Sequence, residues 1–249
     1  MISKKNINFY KNYGYLKLKN FIKLNEINSC LKSAIYIKKK NIKGINKYTE
    51  KRIDGLNRSV LIRVENFYKK NKNLSKIIEN KHILTVLERL FNNKPLLFKE
   101  KINYKPPGSR ADMLHQDSQA GWNKYCKRFI SVLIPLEKST LNNGCLQFDV
   151  SGNNHKRLAS KAMRPLELNE LVEPKFKYFK LNPGDIIFFN NYIPHKSDPN
   201  LGKKSRIQLY LTYNNSADGD FRKKYISEKL KNYPPNNQRN KNIKYKYKI

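Results

Sequence analysis

The segment LHQDSQAGW places His115, one of only four histidines in the chain, two residues before Asp117. His195 follows eighty residues on, in YIPHKSDPN, and Arg206 stands eleven residues beyond it. Two neutral imidazoles and one carboxylate cover one face of an octahedral Fe(II) ion and leave three positions for O2 and a chelating cosubstrate. That ligand set keeps one net positive charge on the ion, which suits an anionic chelator. On an extended segment residues i and i+2 point the same way, so His115 and Asp117 reach one metal. His195 is expected to arrive from a distant strand and close the site across two sheets. A 2-oxo diacid such as 2-oxoglutarate would chelate through its keto oxygen and near carboxylate. Its far carboxylate then needs a planar, two-point partner, which a guanidinium supplies, and Arg206 is the candidate. Ser197 is placed to add a hydroxyl donor there. Fe(II), 2-oxoglutarate and O2 are the expected cofactor and cosubstrates.

Taken singly these signals are weak. H-x-D triplets arise by chance, and a lone histidine is more often structural than a ligand. The combination carries the weight: H-x-D in a loop with a glycine, then NPGDIIFFNNYIPH, then an arginine at the head of an alternating strand.

The elements that must position these groups are mostly strands. KRFISVLIPLE reads as a buried strand, and TLNNGCLQFDV as a turn followed by a strand. FKYFKLNPGDIIFF reads as two strands about an Asn-Pro-Gly-Asp turn. In SRIQLYLTYN, Arg206, Gln208 and Tyr210 share one face, and Ile207, Leu209 and Leu211 the other. Short strands at regular spacing predict a mainly β fold with flanking helices, a double-stranded β-helix or jelly roll of the cupin-like kind. Before that core, residues 13–22 read as a strand and LNEINSCLKSAIYIKKK as a helix with Asn25 as its N-cap. NLSKIIENKHILTVLERLFNN reads as one helix ending at Asn92 and Asn93. Residues 41–72 carry no clear pattern. A single oxygenase domain over 1–249 is expected: a buttress over about 1–94, the jelly-roll core over about 95–221, and a basic tail over about 222–249. That tail is read as a helix over FRKKYISEKL and then a poorly ordered end.

The 249 residues carry a formal net charge of +33, with 39% hydrophobic and 12% aromatic residues. Clustered lysines and arginines suit nucleic acid. Here, however, Lys, Asn and Ile are abundant throughout, as an A/T-rich coding bias would make them, and this plainer reading is preferred. In either case the field draws in small anions. No apolar run is long enough for a membrane span, and no signal-peptide pattern opens the chain. Cys30, Cys126 and Cys145 are odd in number and lack CxxC spacing, which fits reduced thiols and a cytoplasmic location. Cys126 and Cys145 are read as small buried fillers, His82 as structural or exposed, and His155, in VSGNNHK, as a turn residue.

HQD, ISVLIPLEKSTLNNGCLQF, PGDIIFFNNYIPHKS and RIQLYLTYN together resemble the phytanoyl-CoA dioxygenase family of Fe(II)/2-oxoglutarate oxygenases. The resemblance is strong over about 95–235 and looser before that. It implies iron ligation by His115, Asp117 and His195, and 2-oxoglutarate held by Arg206, with Ser197 and Asn103 as further contacts. HQDSQAGW and the ending LTYNNSADGDFRKKYISEKLKNYPP look closest to the branch that hydroxylates aminoalkylphosphonates. VSGNNHK departs from the turn many relatives carry, which leaves the site entrance open.

The reading is then a hydroxylase of an unactivated C–H bond in a small, charged molecule. Trp122 offers an aromatic face to an ammonium group, Gln116 and Gln119 stand beside the ligands, and Lys101 faces an anionic phosphonate or carboxylate. A single tryptophan is more often core, and any one lysine among so many is usually solvated. One alternative is the same chemistry on another metabolite or natural-product intermediate. Halogenation is disfavoured because Asp117 is present. The alternative from another class is a basic nucleic-acid-binding or interaction protein on a degenerate jelly roll. The sequence does not give the oligomeric state.

Overall fold

The computed structural model describes residues 2–52, 59–159, 163–240, 242, 243 and 245. In chain order it contains α1 (Lys4–Tyr13), β1 (Tyr15–Leu18), α2 (Leu24–Lys39), β2 (Asn46–Lys51), β3 (Ser59–Glu65), α3 (Lys72–Ile78), α4 (Lys81–Phe91), β4 (Pro95–Lys105) and β5 (Asp112–His115). There follow β6 (Phe129–Pro135), β7 (Leu146–Asp149), β8 (Phe176–Phe179), β9 (Ile186–Asn190), β10 (His195–Ser197), β11 (Arg206–Asn215) and α5 (Arg222–Asn232). A seven-stranded sheet runs β1-β9-β6-β11-β4-β3-β2, and a four-stranded sheet runs β5-β10-β7-β8. The pairs are antiparallel, giving the expected jelly roll, with α1 to α4 in one core cluster with the larger sheet.

β11 shows how sequence alternation builds the two cores. Ile207, Leu209 and Leu211 pack outward with Ile27, Ile37, Ile83 and Leu87 of the helices. Tyr210 faces the other way, into a second cluster between the sheets with Phe148, Phe179 and Phe189. Burying an apolar face is worth about 25 cal/mol per Å², so the outward face locks register and leaves the inward face for polar work.

Three local expectations need correction. Residues 73–93 form two helices. Asn80 breaks the run because its Oδ1 accepts from the backbone N–H of His82 at 3.0 Å and Ile83 at 3.3 Å, capping α4. At the other end of α4, Asn92 adopts φ 56°, as read. Asn25 is not the cap of α2: that helix starts at Leu24 behind Lys23, two residues earlier, with no side-chain cap. Its start is fixed by burial of Ile27, Cys30, Ala34 and Ile37. Finally, the unpatterned stretch after residue 41 supplies β2 and β3, which extend the larger sheet past β4. The three cysteines are free and buried, and His82 and His155 are exposed. The end of the basic tail lies mostly outside the described residues.

Candidate active site

His115 and His195 are direct cross-strand partners on β5 and β10. The two imidazoles therefore come from adjacent strands of one sheet rather than from opposite sheets. Their ring centroids lie 4.2 Å apart. His115 Nδ1 is 2.6 Å from the carbonyl of Met113, and His195 Nδ1 is 3.0 Å from that of Ile193. A carbonyl only accepts, so each Nδ1 carries the proton and each Nε2 keeps its lone pair for a metal. Burial and the neighbouring His195 push the His115 imidazole down to about 3. Burial likewise lowers His195. Both rings stay neutral, as ligands must.

Asp117 is not on an extended segment. It opens a 3-10 turn over Asp117–Ala120, one residue after β5 ends. That turn is pinned by the Ser118 N–H donating to Asn191 O at 2.9 Å. From the larger sheet, Ser131 Oγ donates to Asp117 Oδ2 at 3.0 Å, and Thr212 Oγ1 backs it at 3.1 Å. Burial alone would raise the Asp117 carboxyl; the positive charges facing it, Lys101 and Lys99 among them, outweigh burial and lower its pKa. One donor atom each from His115, Asp117 and His195 lie within 4.8 Å of one another. Two oriented imidazoles and a pinned carboxylate fit an Fe(II) ion.

Arg206 is 1% exposed and opens β11 directly opposite Lys105 of β4. Its Nη1 donates to the carbonyl of Gly144, and its Nη2 lies 3.9 Å from Asp112 Oδ2. Gly144 has φ +69°, and an added Cβ would sit 2.2 Å from Asp198 O, so this support for the guanidinium requires glycine. Ser197 donates to Asp112. Asn103 lines the cleft, and its buried Oδ1 accepts no hydrogen bond among the described residues.

The cleft beside the triad holds about 60 Å³ of free space. Lys99, Lys101 and Trp122 line it. Trp122 does not offer an open face: Lys99 Nζ sits 4.1 Å from its ring centroid, and the indole packs against Phe98 and Phe129. Gln116 and Gln119 are turned away from the cleft. The Gln116 amide donates to the carbonyls of Lys156 and Tyr192 and accepts from Leu158 N, while Gln119 holds Gln116 N and Arg164 O. Both glutamines serve the loop because its buried backbone groups need partners.

Lys99, Lys105, Asp112 and Ser131 were not singled out from sequence. The signal for the lysines was present: KEKINYK alternates, so Lys99, Lys101, Asn103 and Lys105 share one strand face. Ser131 is the one polar residue within FISVLIP. Asp112 carries no local signal.

Fold and triad together define a jelly-roll oxygenase with a two-histidine, one-carboxylate centre. The profile of the phytanoyl-CoA dioxygenase (PhyH) family matches residues 10–208. The chain belongs to that family, and it is an Fe(II)/2-oxoglutarate-dependent dioxygenase. It is 30% identical over 180 residues to a 2-aminoethylphosphonate dioxygenase from uncultured bacterium HF130_AEPn_1, covering 72% of this chain and 69% of that protein. It is 34% identical over 150 residues to a methylphosphonate hydroxylase from Gimesia maris, covering 58% and 55% respectively. Among solved structures, EctD from S. alaskensis with 2-oxoglutarate and 5-hydroxyectoine superposes with TM-score 0.75 at 18% identity, over 87% of this chain and 77% of that one. The carbocyclase SnoK from nogalamycin biosynthesis gives 0.71 at 15% identity, over 86% and 85%. Among the described residues, no helix is long and apolar enough to cross a membrane.

Proposed function

We propose that this enzyme hydroxylates a C–H bond of a small phosphonate, an aminoalkylphosphonate in the first instance. The observation that carries this reading is the cationic wall of the cleft. Lys99 and Lys101 rise from one face of β4 beside the triad, Lys101 Nζ 4.8 Å from the Tyr210 ring centroid. Lys99 is 6% exposed, its ammonium lies over the Trp122 and Tyr225 ring faces, and Glu65 and Asp117 are the carboxylates that act on it from further away. Among the described residues no carboxylate comes within ion-pair distance of it, and a buried ammonium so placed favours an anionic ligand. The similarity to two phosphonate-acting relatives supports the same substrate class.

In this reading His115, Asp117 and His195 hold Fe(II), and Arg206, with Ser197 and Asn103, holds the far end of 2-oxoglutarate. The metal supplies O2 activation coupled to decarboxylation of the cosubstrate. The chain's own groups do the positioning. Lys99 and Lys101 fix the phosphonate, Tyr210 and the Trp122–Phe98 cluster exclude water, and Ser131 keeps one oxygen of Asp117 occupied so that the other faces the centre.

The test is an anaerobic screen of the iron-loaded protein with 2-aminoethylphosphonate, methylphosphonate and non-phosphonate amines, followed by aerobic assay of succinate and product mass. A phosphonate is expected to perturb the metal-to-cosubstrate absorption band and give a product heavier by one oxygen. Coupled turnover with the amines and none with any phosphonate would sink the reading. Asp117→Ala is expected to abolish succinate formation. Arg206→Ala is expected to raise the 2-oxoglutarate requirement without unfolding the protein.

A further inference from the structure

Four side chains converge in the adjoining part of the cavity. Lys105 Nζ lies 3.1 Å from Asp112 Oδ2 and donates to Ser197 Oγ at 2.6 Å. Ser197 donates to the same Asp112 oxygen, and Arg206 Nη2 stands 3.9 Å from it. The two cations are cross-strand partners in the larger sheet, and Ser197 and Asp112 are cross-strand partners in the smaller one. The side chains of Lys105 and Arg206 are only 5% and 1% exposed, whereas that of Asp112 is 46% exposed. The cations are thus built into the wall, and the carboxylate sits on its cavity side.

Two buried cations side by side lose hydration and repel each other, so an anion must accompany them. Asp112 is that anion in the free protein. The far carboxylate of 2-oxoglutarate presents the same group to the same donors. Two residues along a strand advance about 6.7 Å, so the step from His195 to Ser197 matches the reach of a five-carbon diacid bound at the triad. Two carboxylates in one such slot oppose each other's ionisation, so they must exchange. The pairing of β5 with β10 is irregular between His195 and Ser197, opposite Asp112, which gives that residue room to leave.

We propose that Asp112 is a resident carboxylate that fills the cosubstrate anchor and is exchanged for the far carboxylate of 2-oxoglutarate, with Lys105 as the anchor's second cation. The proposal rests on the assignment of this site to 2-oxoglutarate. Asp112 then acts as a positioning residue that sets cosubstrate affinity without touching the reacting atoms.

The test is anaerobic calorimetry on the full metal-loaded chain, titrated with 2-oxoglutarate and, in parallel, with 2-oxobutyrate. The second ligand keeps the chelating end and lacks the far carboxylate. Asp112→Asn is expected to tighten 2-oxoglutarate roughly tenfold or more and to leave 2-oxobutyrate unchanged. Adding Lys105→Gln to that variant is expected to weaken 2-oxoglutarate alone, by a similar factor. Asp112→Ser, which keeps a short polar side chain and drops the charge, serves the same purpose if Asp112→Asn does not fold. Unchanged or weaker 2-oxoglutarate binding by the folded charge-neutral variant, or an equal effect on both ligands, overturns the exchange. If the wild-type and Asp112 variants bind neither 2-oxo acid, the assignment of the site itself fails.

Discussion

At the residue scale, the metal centre depends on groups that do not touch the metal. Ser131 Oγ fixes one oxygen of Asp117, and such supporting hydrogen bonds are commonly worth about 10–100-fold in metal affinity. Ser131→Ala is therefore expected to weaken Fe(II) binding by about that factor, read by anaerobic metal titration, with the melting temperature little changed. Unaltered affinity would show that the 3-10 turn alone sets the carboxylate. Lys99 gives a pH prediction. Burial, then Lys101 and Lys229, lowers its pKa well below the usual lysine range. A lysine of lowered pKa loses its charge at lower pH than a free one, so phosphonate affinity should fall as pH rises into the alkaline range. Lys99→Met should abolish that slope in a KM-against-pH profile. An unchanged slope would remove Lys99 from the anion site.

At the element scale, α4 and α5 both pack against β4. Asn80 caps α4, so Asn80→Ala is expected to cost about 1 kcal/mol of stability. It should leave 2-oxoglutarate affinity intact, as denaturant melts and calorimetry would show. α5 is tied to β3 by Lys229 Nζ, 2.7 Å and 2.5 Å from the two Glu65 oxygens, and to β4 by Arg222 and Glu100 at 2.5 Å. Burial would raise Glu65, but Lys229 and Arg63 outweigh it and hold the group at about 2. A carboxyl whose folded pKa is depressed adds stability above its unfolded value, near 4.5, and loses it as pH falls toward 2. Acid denaturation should thus be steep in that window and flatter in Glu65→Gln, which starts less stable at neutral pH. Identical acid profiles would refute the role of the pair.

At the scale of the whole molecule, a formal charge of +33 makes the protein a long-range attractor of anions. Raising ionic strength should lower kcat/KM for an anionic substrate through slower encounter, with kcat held, because screening acts over about 8–10 Å at moderate salt. A salt-independent kcat/KM would leave the surface charge without a part in capture. The charge does not mark the site: Lys99 and Lys105 are buried in the cavity wall, whereas most of the other described lysines lie on the surface.

The triad was legible in the sequence because a metal ligand set is defined by residue type, and the place of Arg206 at the head of a strand was legible from alternation. The jelly roll was legible for the same reason, through strand runs such as FISVLIP and RIQLYLTYN that must bury one or both faces. Only the folded chain decided that the two histidines are cross-strand neighbours, that Asp117 reaches them from a turn, and that Trp122 already carries an ammonium. It alone set Asp112 between Lys105 and Arg206. Those relations depend on which strands lie side by side and on which buried charge must find its counter-ion, and distance along the chain carries no record of either.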